Sequence, residues 1–207
     1  MAPTSIDKQQ ITGLILAGGK GTRMGSVDKG LQMFRGKPMV EHVVKRLQPQ
    51  VGTLVINANR HLDVYEAFGV SVCPDEISGF AGPLAGLHAG LSHCKTPYLV
   101  TAPCDSPFLP MDLVDELSEA LMTAQVDIAV AVTGDGEMQQ RHPVFCLLSA
   151  QLKNDLADYL GKGGRKMDAW FAMHRQTEVH FADENAFVNI NSLDELNALI
   201  EIKSPSD

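Results

Sequence analysis

Apolar residues in this chain come in short runs, separated by stretches where they recur at helical spacing. The runs Ile11–Ala17, Thr53–Ala58, Val70–Cys73, Tyr98–Ala102, Asp127–Val132 and Pro143–Leu147 read as strands. The stretches between them read as helices: Pro38–Leu47, Pro83–His93, Met111–Ala124, Ala150–Leu160 and about Lys166–His174. Pro38 and Pro83 each stand where a first helical residue would be, a position at which proline's missing N–H costs nothing. A last helix is announced by a capping box, Ser192 with Glu195, followed by Leu196 and Leu199. Alternating strand and helix signals predict an α/β fold with a mostly parallel central sheet. The stretch from Gly134 to Leu148 breaks the alternation. Its Gly134-Asp135-Gly136 turn and the strand after it predict a small antiparallel insertion. With no internal repeat and no long linker, a single domain over residues 1–207 is expected, with 1–10 and 204–207 frayed.

Composition narrows the class. The 207 residues are 44% apolar and 20% charged, which suits a globular core. No apolar run approaches the roughly 20 residues that span a bilayer. The opening MAPTSIDKQQ has no apolar segment and does not read as a signal peptide. A soluble, cytoplasmic protein is expected. Cys73, Cys94, Cys104 and Cys146 show no CxxC spacing, which disfavours a disulfide framework or a zinc site. The seven histidines form no HExxH pattern, and no Ser/His/Asp or Cys/His arrangement stands out.

Charge changes the picture more. The net charge is −8, yet residues 1–60 hold nine Lys/Arg against three Asp/Glu. Five of those cations (Lys20, Arg23, Lys29, Arg35, Lys37) fall within 20–37 beside one acid, Asp28. A concentrated basic segment in an acidic chain points to a local anion site rather than a nucleic-acid surface, or else to a solvated charged face.

That segment begins with Leu16-Ala17-Gly18-Gly19-Lys20-Gly21-Thr22-Arg23-Met24-Gly25, directly after the first strand, where open α/β sheets place ligand loops. Glycines let backbone N–H groups approach phosphate oxygens, and Lys20, Arg23 and Lys29 can add charge-assisted hydrogen bonds. The loop is no P-loop, since GxxxxGK[ST] is absent. It is no Rossmann fingerprint either, since Met24 stands at the third glycine position.

Further candidates fall at other strand ends. Asp105, beyond the Tyr98 strand, is placed to hold Mg2+ against phosphates; the alternative is a helix cap or a turn with Ser106. Asn57-Ala58-Asn59 and Cys73-Pro74-Asp75 bring polar groups to the same sheet edge, or form ordinary Asx turns. Gly82-Pro83-Leu84-Ala85-Gly86-Leu87 opens a helix whose Gly86 permits close approach, either of a flat ligand or of a packed element. Gly161 to Lys166 is a second glycine and cation cluster, fit for an acceptor phosphate or for a solvated connection.

Taken together, LAGGKGTRMG at 16–25, VDKGL at 27–31, GKP at 36–38, VINANR at 55–60, PDE at 74–76, GPLAGL at 82–87, PCDSPFLP at 103–110, HPVF at 142–145 and FVNINSLDEL at 187–196 resemble the molybdenum cofactor guanylyltransferase family. The first loop alone would indicate only the wider nucleotidyltransferase superfamily. The resemblance implies a Rossmann-like three-layer nucleotidyltransferase fold. It implies transfer of GMP from GTP to the terminal phosphate of Mo-molybdopterin, with pyrophosphate released. It places Leu16, Ala17, Gly18, Gly19, Asn57 and Asp75 at the guanine nucleotide, Lys29 and Arg23 at its phosphates, and Asp105 at both nucleotide and metal. Gly86, Arg165, Asn189 and Asn191 fall where family members approach the pterin acceptor. Mg2+ is the implied cofactor, with Mn2+ as the alternative. GTP and Mo-molybdopterin are the implied partners, with molybdoenzyme chaperones or other cofactor-biosynthesis proteins beyond them; neither nucleic acid nor a membrane is expected. The competing readings are a related nucleotidyltransferase using CTP or a sugar-phosphate acceptor, and a non-catalytic nucleotide-sensing module.

Overall fold

The computed structural model describes residues 6–19, 28–77, 82–190 and 195 of the chain. Its strands are β1 (Ile11–Leu16), β2 (Met33–Phe34), β3 (Lys37–Pro38), β4 (Thr53–Asn57), β5 (Ser71–Cys73), β6 (Tyr98–Pro103), β7 (Ile128–Thr133), β8 (Gln140–Ser149) and β9 (Gln176–His180). Its helices are α1 (Met39–Leu47), α2 (Leu62–Glu66), α3 (Pro83–His93), α4 (Leu113–Ala124), α5 (Lys153–Gly161) and α6 (Met167–Phe171).

Seven strands form one sheet in the order β5-β4-β1-β6-β8-β7-β9. Within it β8 alone runs antiparallel to its neighbours, which is the antiparallel insertion expected around Gly134–Leu148. The pleat's period of two divides each central strand between two cores. From β1 and β7, Ile11, Ile15, Ala129 and Ala131 enter one core with Val43 and Leu47 of α1 and Leu117 of α4. Leu14, Ile128 and Val130 enter the other with Leu87 of α3, Leu156 of α5 and Trp170 of α6. The result is three layers, with every residue of β7 buried, as a strand covered on both faces requires.

Register sets the site. Leu16 pairs with Asn57 of β4 on one side and with Pro103 of β6 on the other, and Asn57 pairs with Cys73 of β5. Four parallel strands therefore end level, and the loops after them share one edge.

Several elements depart from the sequence reading. The short β2–β3 ladder, α2 and β9 carried no recognised signal. Only Val179 of β9 is buried, so its apolar pattern is too thin to read. Pro83 opens α3 as expected, whereas Pro38 sits in β3 and precedes α1. The helix expected from Ala150 starts at Lys153 after a 3-10 turn, and the one expected over Lys166–His174 shortens to α6. Residues Lys8–Gln10 form a 3-10 turn. Asp7 accepts a hydrogen bond from the Gln9 N–H, the Gln10 N–H donates to the Asp7 carbonyl at 2.8 Å, and Ile6 is buried in the core. Ser192, Leu196 and Leu199 lie outside the described residues, while Glu195 is helical. No helix among the described residues is long and apolar enough to cross a membrane.

Two histidines tie this core to pH. Burial lowers the pKa of His88, against the opposing pull of Glu76. Burial likewise lowers that of His142, which stacks on Phe187 at 4.8 Å and shares a hydrogen bond with Thr133, against the pull of Glu184. An unfolded chain then binds more protons than the folded one below the ordinary histidine value of about 6.5. Their contribution to stability is complete above that pH and falls away as pH drops through the lowered values. The urea midpoint is expected to fall between about pH 7 and pH 5, and His142→Gln is expected to flatten that slope. An identical slope in the variant would refute the assignment.

Candidate active site

A cavity of about 350 Å³ opens at the shared strand edge. Leu16, Ala17, Gly18 and Gly19 form one wall, Asn57 and Asp75 a second, and Asp105, Lys29 and Asn189 a third. The nine residues come from strand ends and loops far apart in sequence, and parallel register brings them together.

The β4–β5 side is a closed polar network. Asn57, 1% exposed, donates its amide to Asp75 Oδ1 at 2.9 Å and to the Cys73 carbonyl at 3.2 Å. Asn59 donates to Asp75 Oδ2 at 2.8 Å and to the Gly18 carbonyl at 3.2 Å, and its own oxygen accepts from the Asp75 N–H at 2.8 Å. Both carboxylate oxygens of Asp75 are thus held by asparagine amides, and the network clamps the glycine loop. A network whose members are all satisfied in this way stiffens the ends of β4 and β5. Gly86 lies behind Asn57 rather than among the cavity-lining residues. A methyl group there would sit 2.3 Å from Asn57 Oδ1 and 2.6 Å from Leu16 Cδ2, so the missing side chain lets α3 press against the back of the site.

The β6 side carries the charge. Asp105 is 8% exposed, and Lys29 Nζ donates to its Oδ2 at 3.0 Å. The Cys104 N–H donates to the Leu16 carbonyl at 3.1 Å and the Ile190 N–H to the Asp105 carbonyl at 3.0 Å, which fixes the loop on both flanks. Cys104 and Asp105 lie in a turn, and Ser106 just after it, fully buried, donates its hydroxyl to Asn189 Oδ1. Asn189 reaches the cavity from the chain's last described stretch by this contact. Val144, within the HPVF stretch but given no role by the sequence reading, also lines the cavity. It enters because the β7–β8 register shifts between Val130 and Ala131, pushing residues 143–145 out of the ladder; the Val144 carbonyl accepts from Thr101 Oγ1.

Arg165 does not line the cavity. It donates to the Leu160 and Gly164 carbonyls at the end of α5. Arg23 and Asn191 lie outside the described residues.

Among the described residues no group of three or more His, Cys, Asp or Glu comes together as a metal cage. Asp105 offers a hard carboxylate at the mouth of an anion-receptive cleft. That donor set fits a hard divalent cation whose shell is completed by ligand phosphates and water, the usual manner of Mg2+ binding. Beside it, Lys29 supplies a positive charge that phosphate could share. The cavity therefore has an amide-rich side around Asn57 and Asp75 and a charged side around Lys29 and Asp105.

Residues 13–179 match the family described as the MobA-like NTP transferase domain. The molybdenum cofactor guanylyltransferase of Ralstonia nicotianae is 57% identical over 97% of this chain and 99% of its own. Among solved structures, molybdopterin-guanine dinucleotide biosynthesis protein A from Archaeoglobus fulgidus superposes with a TM-score of 0.72 at 23% identity, covering 93% of this chain and 98% of its own. The 4-diphosphocytidyl-2C-methyl-D-erythritol synthase of Anaerococcus prevotii gives 0.75 at 12% identity, covering 96% and 100%, which shows the same fold. The chain belongs to the MobA-like NTP transferase family, among the molybdenum cofactor guanylyltransferases.

Proposed function

We propose that the chain transfers GMP from GTP to the terminal phosphate of Mo-molybdopterin, forming the guanine dinucleotide cofactor and pyrophosphate. The observation that carries this reading is the pairing of a part-buried Asp105–Lys29 site with the Asn57–Asn59–Asp75 network around one cavity of about 350 Å³. The high identity to named guanylyltransferases supports the choice of nucleotide and acceptor.

The acceptor phosphate is anionic at neutral pH, so its attack on the α-phosphorus needs no proton removed. The cavity lining is consistent with this: among the described residues it contains no histidine, and both oxygens of Asp75 are already held by amides. What the reaction requires is that two polyanions be held in line and their charge neutralised. The glycine wall and the Asn57 network would hold the nucleoside. Lys29 would leave Asp105 for the phosphates and take up charge on the departing pyrophosphate. Asp105 would hold the divalent cation, taken here as Mg2+, which when bound supplies charge neutralisation at the transferring phosphate. Arg23 is assigned to the triphosphate, and Asn189 with Asn191 to the acceptor side. Arg165, placed by the resemblance near the acceptor, would have to reach it from the end of α5.

Lys29→Ala removes a charge-assisted contact worth roughly 1.5–3 kcal/mol. GTP affinity is therefore expected to fall by about 10- to 100-fold, read by titration calorimetry; unchanged affinity and rate would refute the role. The function itself is tested by product mass after mixing the protein with Mg2+, Mo-molybdopterin and either GTP or CTP. A guanine dinucleotide formed with GTP alone is expected, and a cytosine product would overturn the base assignment.

A further inference from the structure

Lys29 belongs to a segment held from behind by a residue that does not touch the cavity. Tyr65 of α2 is completely buried, although its neighbours Leu62 and Val64 are exposed. Its hydroxyl donates to Asp28 Oδ1 at 2.6 Å. Burial, reinforced by Cys104 and Asp28, pushes the hydroxyl's pKa well above the tyrosine range, so it keeps its proton and donates. The same segment also meets Cys104, the residue before Asp105. A methyl group at Gly30 would sit 2.6 Å from the Tyr65 oxygen and 3.2 Å from Cys104 Sγ, so Gly30 packs closely against both. The Asp28 carbonyl in turn accepts from the Leu31 N–H and the Gln32 amide, both at 3.3 Å. The backbone from which Lys29 extends is thereby set against the loop that carries its partner, Asp105.

We propose that Tyr65 is a positioning residue that acts through Asp28 to aim Lys29 at the phosphates. The proposal rests on the reading of Lys29 given above. Phenylalanine at 65 keeps the ring's packing and deletes only the tether.

The test is a double-mutant cycle of Tyr65→Phe and Lys29→Met, read as pyrophosphate release with GTP, Mg2+ and Mo-molybdopterin. Alone, Tyr65→Phe is expected to slow release about tenfold, because small misplacements of a contacting group cost catalysis disproportionately. In the Lys29→Met background it is expected to cost nothing further. An equal loss in both backgrounds would make Tyr65 merely structural, and no loss with Lys29 present would also overturn the proposal. Should Tyr65→Phe fail to fold, Asp28→Ala replaces it in the same cycle. Asp28→Asn, whose amide oxygen still accepts the hydroxyl, is expected to recover most of what Asp28→Ala loses. If the wild-type protein releases no pyrophosphate, the proposed function falls, and the tether is read from GTP dissociation constants of the same four proteins. The same crossed pattern then supports it and its absence overturns it.

Discussion

Asp105→Asn is expected to reduce turnover by about 100- to 1,000-fold, the usual cost of removing one preorganised electrostatic contact. The amide has the shape of the carboxylate and leaves the Asp105 carbonyl free to keep its bond from the Ile190 N–H. It lacks the charge that pairs with Lys29 at 3.0 Å and that would hold a divalent cation. The loss should therefore fall on the chemical step, while the thermal midpoint changes little, because the loop is also fastened by Ser106 to Asn189 and by Cys104 to Leu16. A further signature separates this from general damage: raising Mg2+ should not restore the rate. Near-normal turnover in a folded Asp105→Asn protein would remove Asp105 from the reaction.

Gly86→Ala is expected to weaken GTP binding by more than about tenfold without preventing folding. Alanine in a helix interior gains roughly 0.5–1 kcal/mol over glycine, while overpacking costs about 1–3 kcal/mol, so the net loss of about 0–2.5 kcal/mol stays below the roughly 5–15 kcal/mol that holds a domain folded. The site has less room to yield. The new methyl group meets Asn57 Oδ1 and Leu16 Cδ2 at distances real side chains do not adopt. Asn57 must turn away, which breaks its bonds to Asp75 and to the Cys73 carbonyl and loosens the clamp on Gly18. Calorimetric titration with GTP measures the effect directly, and wild-type affinity in a folded variant would contradict it.

The central strands and the glycine loop were legible because their signals are local. An element such as β7, buried on both faces, must be apolar throughout, and a loop after such a strand must sit at the sheet edge. What the sequence left open depended on partners distant in the chain. Gly86 admitted either a ligand or a packed element, and the structure places Asn57 and Leu16 against it. Asp75 admitted an ordinary turn, and the structure binds it through Asn57 and Asn59 instead. Ser106 is buried toward Asn189, 83 residues away, a pairing no local pattern encodes. Tyr65 was unreadable for a related reason: α2 has only five residues and one buried side chain, too short for a periodicity to emerge. The same holds for β9, an edge strand whose bonds come from β7 rather than from its own composition.

The most direct test of the account follows the phosphorus atoms of GTP. The protein is incubated with Mg2+, Mo-molybdopterin and GTP labelled either at the α- or at the γ-phosphorus, and the products are separated. Attack of the acceptor phosphate at the α-phosphorus predicts that α label enters the molybdopterin product and γ label leaves entirely as pyrophosphate. Label from the γ position in the pterin product, or inorganic phosphate in place of pyrophosphate, would contradict it.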